Sequence, residues 1–105
     1  MANSYVTNLY PKPVVGVADQ TLTVDATSGG VQFGTAFNKL TRYIVFDVQG
    51  ADVRVTYDDS APTTSNGHIL FAGRSYTWSK AAAQAAKFIR DGGTDATIHA
   101  SEFTD

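Results

Sequence analysis

Apolar and polar residues alternate along much of this chain. Residues 43–49 read YIVFDVQ, with Ile44, Phe46 and Val48 on one side and Tyr43, Val45 and Asp47 on the other. A period of two, built from β-branched and aromatic residues, predicts a strand. Residues 53–57 read VRVTY and place Val53, Val55 and Tyr57 opposite Arg54 and Thr56. Gly50-Ala51-Asp52 lies between, and a three-residue connection containing glycine predicts a hairpin. Upstream, residues 20–25 (QTLTVD) alternate Leu22 and Val24 against Thr21, Thr23 and Asp25. Ser28-Gly29-Gly30 then breaks the pattern, and Val31-Gln32-Phe33 predicts a short strand ended by Gly34.

Two more hairpins are expected downstream. Residues 69–71 (ILF) and 74–78 (RSYTW) flank Ala72-Gly73, which predicts a hairpin or a bulged corner. Residues 85–90 (AAKFIR) and 95–100 (DATIHA) flank Asp91-Gly92-Gly93-Thr94. In the last strand Ala96, Ile98 and Ala100 share a face, with Thr97 and His99 opposite. Only residues 79–86 (SKAAAQAA) favour a helix, with Ser79 as its cap. So short a helix depends on tertiary packing, and the chain is expected back in strand near Lys87. Pro11 and Pro13 keep the N-terminal stretch out of a central ladder position. Residues 1–13 are therefore expected as an extended arm or an edge strand, and residues 14–105 as a single domain. Many short strands with closely spaced turn signals predict an all-β fold, an antiparallel β-sandwich with one short helical turn. Jelly-roll connections are one option for linking its strands.

The chain of 105 residues makes one domain, and at that size roughly two-thirds of the unfolded surface is buried. It has no cysteine, hence no disulfide, thiolate ligand or thiol nucleophile, which fits synthesis in a reducing cytosol. A net charge of −2 argues against nucleic acid as the main partner. The apolar runs are too short to span a membrane, and the first twenty residues lack the pattern of a secretory signal. Charged residues make up 17% of the chain, against an average of about 25%. A weakly charged, hydroxyl-rich surface suits contact with neighbouring molecules.

The most polar stretch, residues 58–68, reads DDSAPTTSNGH. Asp58, Asp59 and Ser60 suit turn initiation, Pro62 holds Ala61 extended, and Asn66-Gly67 is a turn pair. A structural loop thus explains every unusual residue. The competing reading is calcium held by Asp58, Asp59, Ser60 and Asn66, but the alternating acidic pattern and closing glutamate of a dedicated loop are absent. His68 and His99 alone make no zinc set, and no HExxH pair exists. Catalysis has no constellation to rest on. No GxSxG elbow precedes either histidine, and nothing in the spacing brings a chosen pair of Asp47, Asp58, Asp59 and Glu102 together. No catalytic residue, cofactor, metal or small-molecule substrate is assigned. Tyr76 and Trp78 lie on one strand face, where they either pack in the core or stack on a sugar ring as in a carbohydrate-binding module.

Residues 53–103 carry a strand, then D-x-S-x-P-T-x-x-x-G-H, a short apolar strand with A-G, an aromatic strand, A-x-K-F-I-R and a final strand. This order resembles small structural proteins of tailed bacteriophages. The resemblance implies a cement or decoration protein on the capsid exterior, made in the host cytoplasm. Its partners would be the major capsid protein and further copies of itself, as dimer or trimer. A tail- or fibre-associated sandwich is the nearest alternative, and a carbohydrate-binding module the next. The candidate partner-binding residues are Tyr5, Leu9, Tyr10, Pro11 and Pro13 in the arm, with Asp58, Asp59, Asn66 and His68 in the polar loop.

Overall fold

The computed structural model describes residues 12–105. In chain order the elements are β1 (Lys12–Pro13), β2 (Gln20–Val24), β3 (Tyr43–Gln49), β4 (Val53–Thr56), β5 (His68–Leu70), β6 (Ser75–Ser79), α1 (Lys80–Ala85), β7 (Lys87–Arg90) and β8 (Ala96–Thr104). The larger sheet runs β1-β8-β3-β6, with β2 also on β8, and the smaller runs β5-β4-β7. All pairings are antiparallel. β1 and β2 share one edge of β8, and β3 takes the other. The chain is thus the expected two-sheet antiparallel sandwich with one short helix. Its strand orders do not show a jelly roll.

The alternation decides which faces meet. Ile44, Phe46 and Val48 of β3 and Ala96, Ile98 and Ala100 of β8 are buried, and so are Val53 and Val55 of β4, Leu70 of β5 and Phe88 of β7. Side-chain packing holds the stacked sheets face to face, and at one margin the Arg90 N–H of β7 donates to the carbonyl of Asp25 just past β2 at 3.1 Å. Aromatic rings dominate the contact. Phe46 and Phe88, one from each sheet, meet edge to face with centroids 6.2 Å apart. Phe33 wedges beside them, 5.5 Å from Phe88 and 6.2 Å from Phe46. Trp78 lies 5.0 Å from Phe46 and stacks on Phe88. Phe33 belongs to no strand. Its segment contributes only a bridge from Val31 to Phe88, which extends the smaller sheet beyond β7. α1 begins where Ser79 accepts a hydrogen bond from the Ala82 N–H at 3.2 Å and ends as Ala86 turns extended.

Two of the expected hairpins prove to be something else, and at Ala72-Gly73 the chain turns a corner between sheets instead of forming the alternative hairpin. β3 and β4 lie in different sheets, and so do β5 and β6, and β7 and β8. Each connection is an arch that carries the chain across the sandwich. Period-two alternation around a glycine turn fits a hairpin and an arch equally, because both leave one face of each strand apolar. What separates them is a long-range constraint. Asp52, in the first arch, accepts the Ala72 N–H on Oδ1 at 2.8 Å and the Asp91 N–H on its carbonyl at 3.1 Å. Ala72 belongs to the second arch and Asp91 to the third, so one residue ties all three together.

At another site Glu102 plays a similar part. It is buried on the inner side of β8, opposite Ile44. Its Oε1 accepts from the Asn38 N–H and the Thr41 hydroxyl, each at 2.7 Å, and its carbonyl accepts from the Val14 N–H at 3.0 Å. The 34–42 loop and the start of the β1–β2 connection are thereby fixed to β8.

Phe46→Ala is expected to cost about 3–5 kcal/mol in urea unfolding, because it empties the centre of the inter-sheet contact. Asp52→Ala is expected to cost about 0.5–1.5 kcal/mol and Asp52→Asn less, because the amide retains an acceptor oxygen. Equal losses for Asp52→Ala and Asp52→Asn would count against the arch-tying role.

Candidate functional site

The polar stretch 58–68 joins β4 to β5, the only consecutive strands among the described residues that pair with each other. Its geometry is that of a structured loop. The Ser60 N–H and hydroxyl both donate to Asp58 Oδ1. The Thr56 hydroxyl donates to the Ser60 carbonyl at 2.6 Å, and Lys87 Nζ donates to the Asp59 carbonyl at 3.2 Å. Thr56 and Lys87 face outward from the smaller sheet, opposite each other in register, so residues 59–60 fold back over its outer face. Thr63 and Asn66 exchange backbone hydrogen bonds of 3.0 and 3.2 Å around Thr64-Ser65. The tight turn is therefore centred before the expected Asn66-Gly67 pair. Asp59, at φ 71°, is the one described non-glycine residue in the left-handed conformation. Gly67 is required by proximity as well as by its φ of 125°, since a Cβ there would stand 3.1 Å from the Val55 carbonyl oxygen.

Beneath the loop lies an open depression of about 330 Å³ lined by Thr56, Tyr57, Asp58, Ser60, Asn66, Gly67 and His68. His68 sits opposite Val55 in register, and its ring stacks on Tyr57 with centroids 5.5 Å apart and planes 8° from parallel. Tyr57 meets the edge of Trp78 at 5.4 Å. It also walls a second groove of about 330 Å³, shared with Thr77, Trp78, Ser79 and Ala82. The two hollows thus adjoin across one tyrosine ring.

Of the expected partner-binding residues, the fold gathers Asp58, Asn66 and His68 around one hollow. Asp59 is not among the lining residues, and its exposed carboxylate pairs with Lys87 at 3.3 Å. Pro13 is exposed in β1, opposite Phe103. Tyr5, Leu9, Tyr10 and Pro11 lie outside the described residues. Tyr57 is the wall that reading the loop by its polar residues overlooks. Its parity with Val53 and Val55 is the signal, since it continues the core-facing side of β4 past the end of the strand. Tyr76 stacks on Phe46 at 5.6 Å and accepts the Phe71 N–H on its hydroxyl. With Trp78 against Phe46 and Phe88, this aromatic pair serves the core. His99 lies on the outer face of the larger sheet, with Nε2 3.1 Å from the Asp19 carboxylate.

The hollow offers a carboxylate, an amide, an imidazole and a phenol, a set suited to hydrogen-bonding a polar surface group. Among the described residues no three of His, Cys, Asp and Glu gather as a metal site would need. The fold keeps Asp47, Glu102 and the adjacent pair Asp58 and Asp59 apart from one another. Asp47 faces outward from the larger sheet, Glu102 inward, and Asp58 and Asp59 sit in the loop of the smaller sheet.

The hydroxyl of Ser60, then its N–H, holds the Asp58 carboxyl below its ordinary value of 3.8. A depressed folded-state pKa contributes stability that is present above the unfolded value and is lost as pH falls through the folded one. The loop is therefore expected to keep its form through mildly acidic pH and to loosen only below 3.8. Ser60→Ala should return Asp58 toward its ordinary value, read by NMR titration of the side-chain carboxyl carbon. An unmoved titration would remove Ser60 as the cause.

No protein-family model, no curated protein and no solved structure matches this chain.

Proposed function

We propose that the chain is a structural protein of a tailed-bacteriophage virion, a capsid cement or decoration protein that bridges major capsid subunits. The reading starts from the resemblance of residues 53–103. The observation that carries it is the outer face of the larger sheet. That face presents Thr21, Thr23, Val45, Thr77, Thr97 and Ser101 among its side chains, and no lysine, arginine or glutamate of β2, β3, β6 or β8 points there. The ionisable groups those strands place there are Asp47, His99 and Tyr43, and the Asp19 and Asp105 carboxylates reach the same face at His99 and Tyr43. A pleated face whose strands place so little charge on it loses little solvation when covered, which suits contacts of roughly 1,200–2,000 Å² repeated by symmetry. Next to it, Glu102 fixes Val14 and Thr41, and their chain neighbours Val15 and Leu40 are 96% and 61% exposed. Apolar side chains held out on an anchored backbone meet a partner at small entropic cost.

The rim of the first hollow favours a second reading, glycan binding. Tyr57 is 44% exposed beside Asp58, Asn66 and His68. An aromatic ring with amide and carboxylate neighbours suits a sugar, and the groups involved differ from the core pair Tyr76 and Trp78.

Capsids carrying the protein are expected to rupture at a higher temperature than capsids stripped of it. Val45→Arg should leave the unfolding midpoint nearly unchanged and reduce capsid occupancy, measured by gel densitometry of purified particles. Equal rupture temperatures would exclude the cement role, and full occupancy by Val45→Arg would exclude this face. Saccharide retention on a glycan array that is lost in Tyr57→Ala would favour the second reading instead.

A further inference from the structure

Among the described residues the larger sheet ends at β6, and no described strand covers that edge. The Lys80 N–H donates to the Arg42 carbonyl and the Val48 N–H to the Arg74 carbonyl, at 2.9 and 3.1 Å. In an antiparallel ladder, these bonds turn residues 74, 76, 78 and 80 toward β3. Ser75, Thr77 and Ser79 therefore direct their backbone N–H and C=O groups to the open side. Edge strands are ordinarily blunted by lysine, proline, a bulge or brevity. β6 reads SYTWS over five residues and has none of these. The edges of the smaller sheet differ. β7 is met by Val31 and β5 is only three residues long. Along the open side of β6 runs the groove walled by Tyr57, Trp78 and Ala82. A backbone ladder beside a side-chain groove is the arrangement that accepts an added strand.

We propose that β6 accepts residues 4–10 of a second copy of this chain as an added strand. Residues 1–11 (MANSYVTNLYP) carry no charged side chain, and their tyrosine, valine and threonine favour extended pairing. Tyr5, Thr7 and Leu9 alternate with Val6, Asn8 and Tyr10. In an added strand one face of that set turns toward the groove, where Leu9 or Tyr5 fills the space beside Trp78. The exit point favours a neighbour over the same molecule. β1 lies three strand positions from β6, roughly 14 Å across the sheet. Lys12 pairs with Thr104, so β1 begins beside the last residue of β8, at that end of the sheet. A residue before proline favours extended backbone, and Pro11 and Pro13 put two such positions in a row at the exit, a sequence that disfavours doubling back. Fully extended, eleven residues reach roughly 36–40 Å, enough to lie along another molecule. Donor and acceptor surfaces differ, so the exchange is either reciprocal in a dimer or head to tail in a closed ring. This association goes beyond the decoration reading and stands whatever larger surface the protein binds.

Two variants test it by complementation. A chain lacking residues 1–11 keeps the acceptor edge and loses the donor. Thr77→Pro keeps the donor and removes an edge N–H that no ladder bond uses. In sedimentation velocity the full chain should associate at micromolar concentration. Each variant alone should be monomeric, and their mixture should form a one-to-one complex. Amide hydrogen exchange covers the case in which Thr77→Pro fails to fold. The Ser75, Thr77 and Ser79 amides should be protected in the full chain and exchange as open amides once residues 1–11 are removed. A monomeric full chain would overturn the proposal, even with those amides protected, because the segment would then pair within its own molecule. Association that persists without residues 1–11 would overturn it as well, and so would folded variants that ignore each other.

Discussion

Asp52 sets the constraint on which the rest of the sandwich depends. From β3 onward the chain crosses between sheets at three arches and once more through α1, and crossing strands have no ladder to hold them in register. A single residue supplies what is missing. Its side chain fixes the second arch and its carbonyl the third, while its own position in the first is set by Gly50, at φ 88°. With the arches tied, the inner faces of β3 and β4 must oppose each other. Phe46 and Phe88 then meet, and Phe33 and Trp78 complete the aromatic contact. Packing provides most of the free energy, and the hydrogen bonds at Asp52 select which packing occurs.

Local features were legible in the sequence wherever a local cause decides them. The strands at 20–24 and 43–49 follow their alternation, the last strand follows it at 96–100 and runs on to Thr104, and α1 starts at the expected Ser79 cap and gives way to strand at Lys87. Partnership was not legible, because a glycine between two alternating runs says only that the chain turns. Whether the second strand returns to the same sheet depends on residues far away, such as Ala72 and Asp91 meeting Asp52. The segment 31–33 fell short of a strand because only Val31 finds a ladder partner, while Phe33 is drawn into the ring cluster. At the candidate site, Asp58 and Gly67 have the backbone roles their residue types suggest. The turn moved off Asn66-Gly67 because Gly67 is already committed to its close approach to Val55. Tyr57 went unnoticed as a site residue because it reads equally well as the last core position of its strand.

The surface divides by chemistry. The smaller sheet carries ionic cover on its outer side, with Arg54 paired to Asp91 at 2.7 Å and Lys87 to Asp59 at 3.3 Å beneath the folded-back loop. The strands of the larger sheet put no lysine, arginine or glutamate on its outer face, and no described strand covers β6. Solvated ion pairs resist burial, whereas hydroxyls and main-chain groups exchange water for a partner at little cost. The asymmetry thus gives the molecule one side suited to solvent and one suited to contact.

The position of β8 has a consequence for biosynthesis. It is the central strand of the larger sheet, with β1 and β2 on one edge and β3 on the other, yet it follows all of them in sequence. As a growing polypeptide leaves the ribosome, β2 and β3 emerge with their shared partner still unmade. The sheet cannot close until residues 96–104 have cleared the exit tunnel. Until then apolar strand surface stays uncovered, and the ladder that finally forms joins residues nearly eighty positions apart, Thr21 to His99 among them. Such non-local closure makes for slow maturation and a window in which nascent chains are prone to clump.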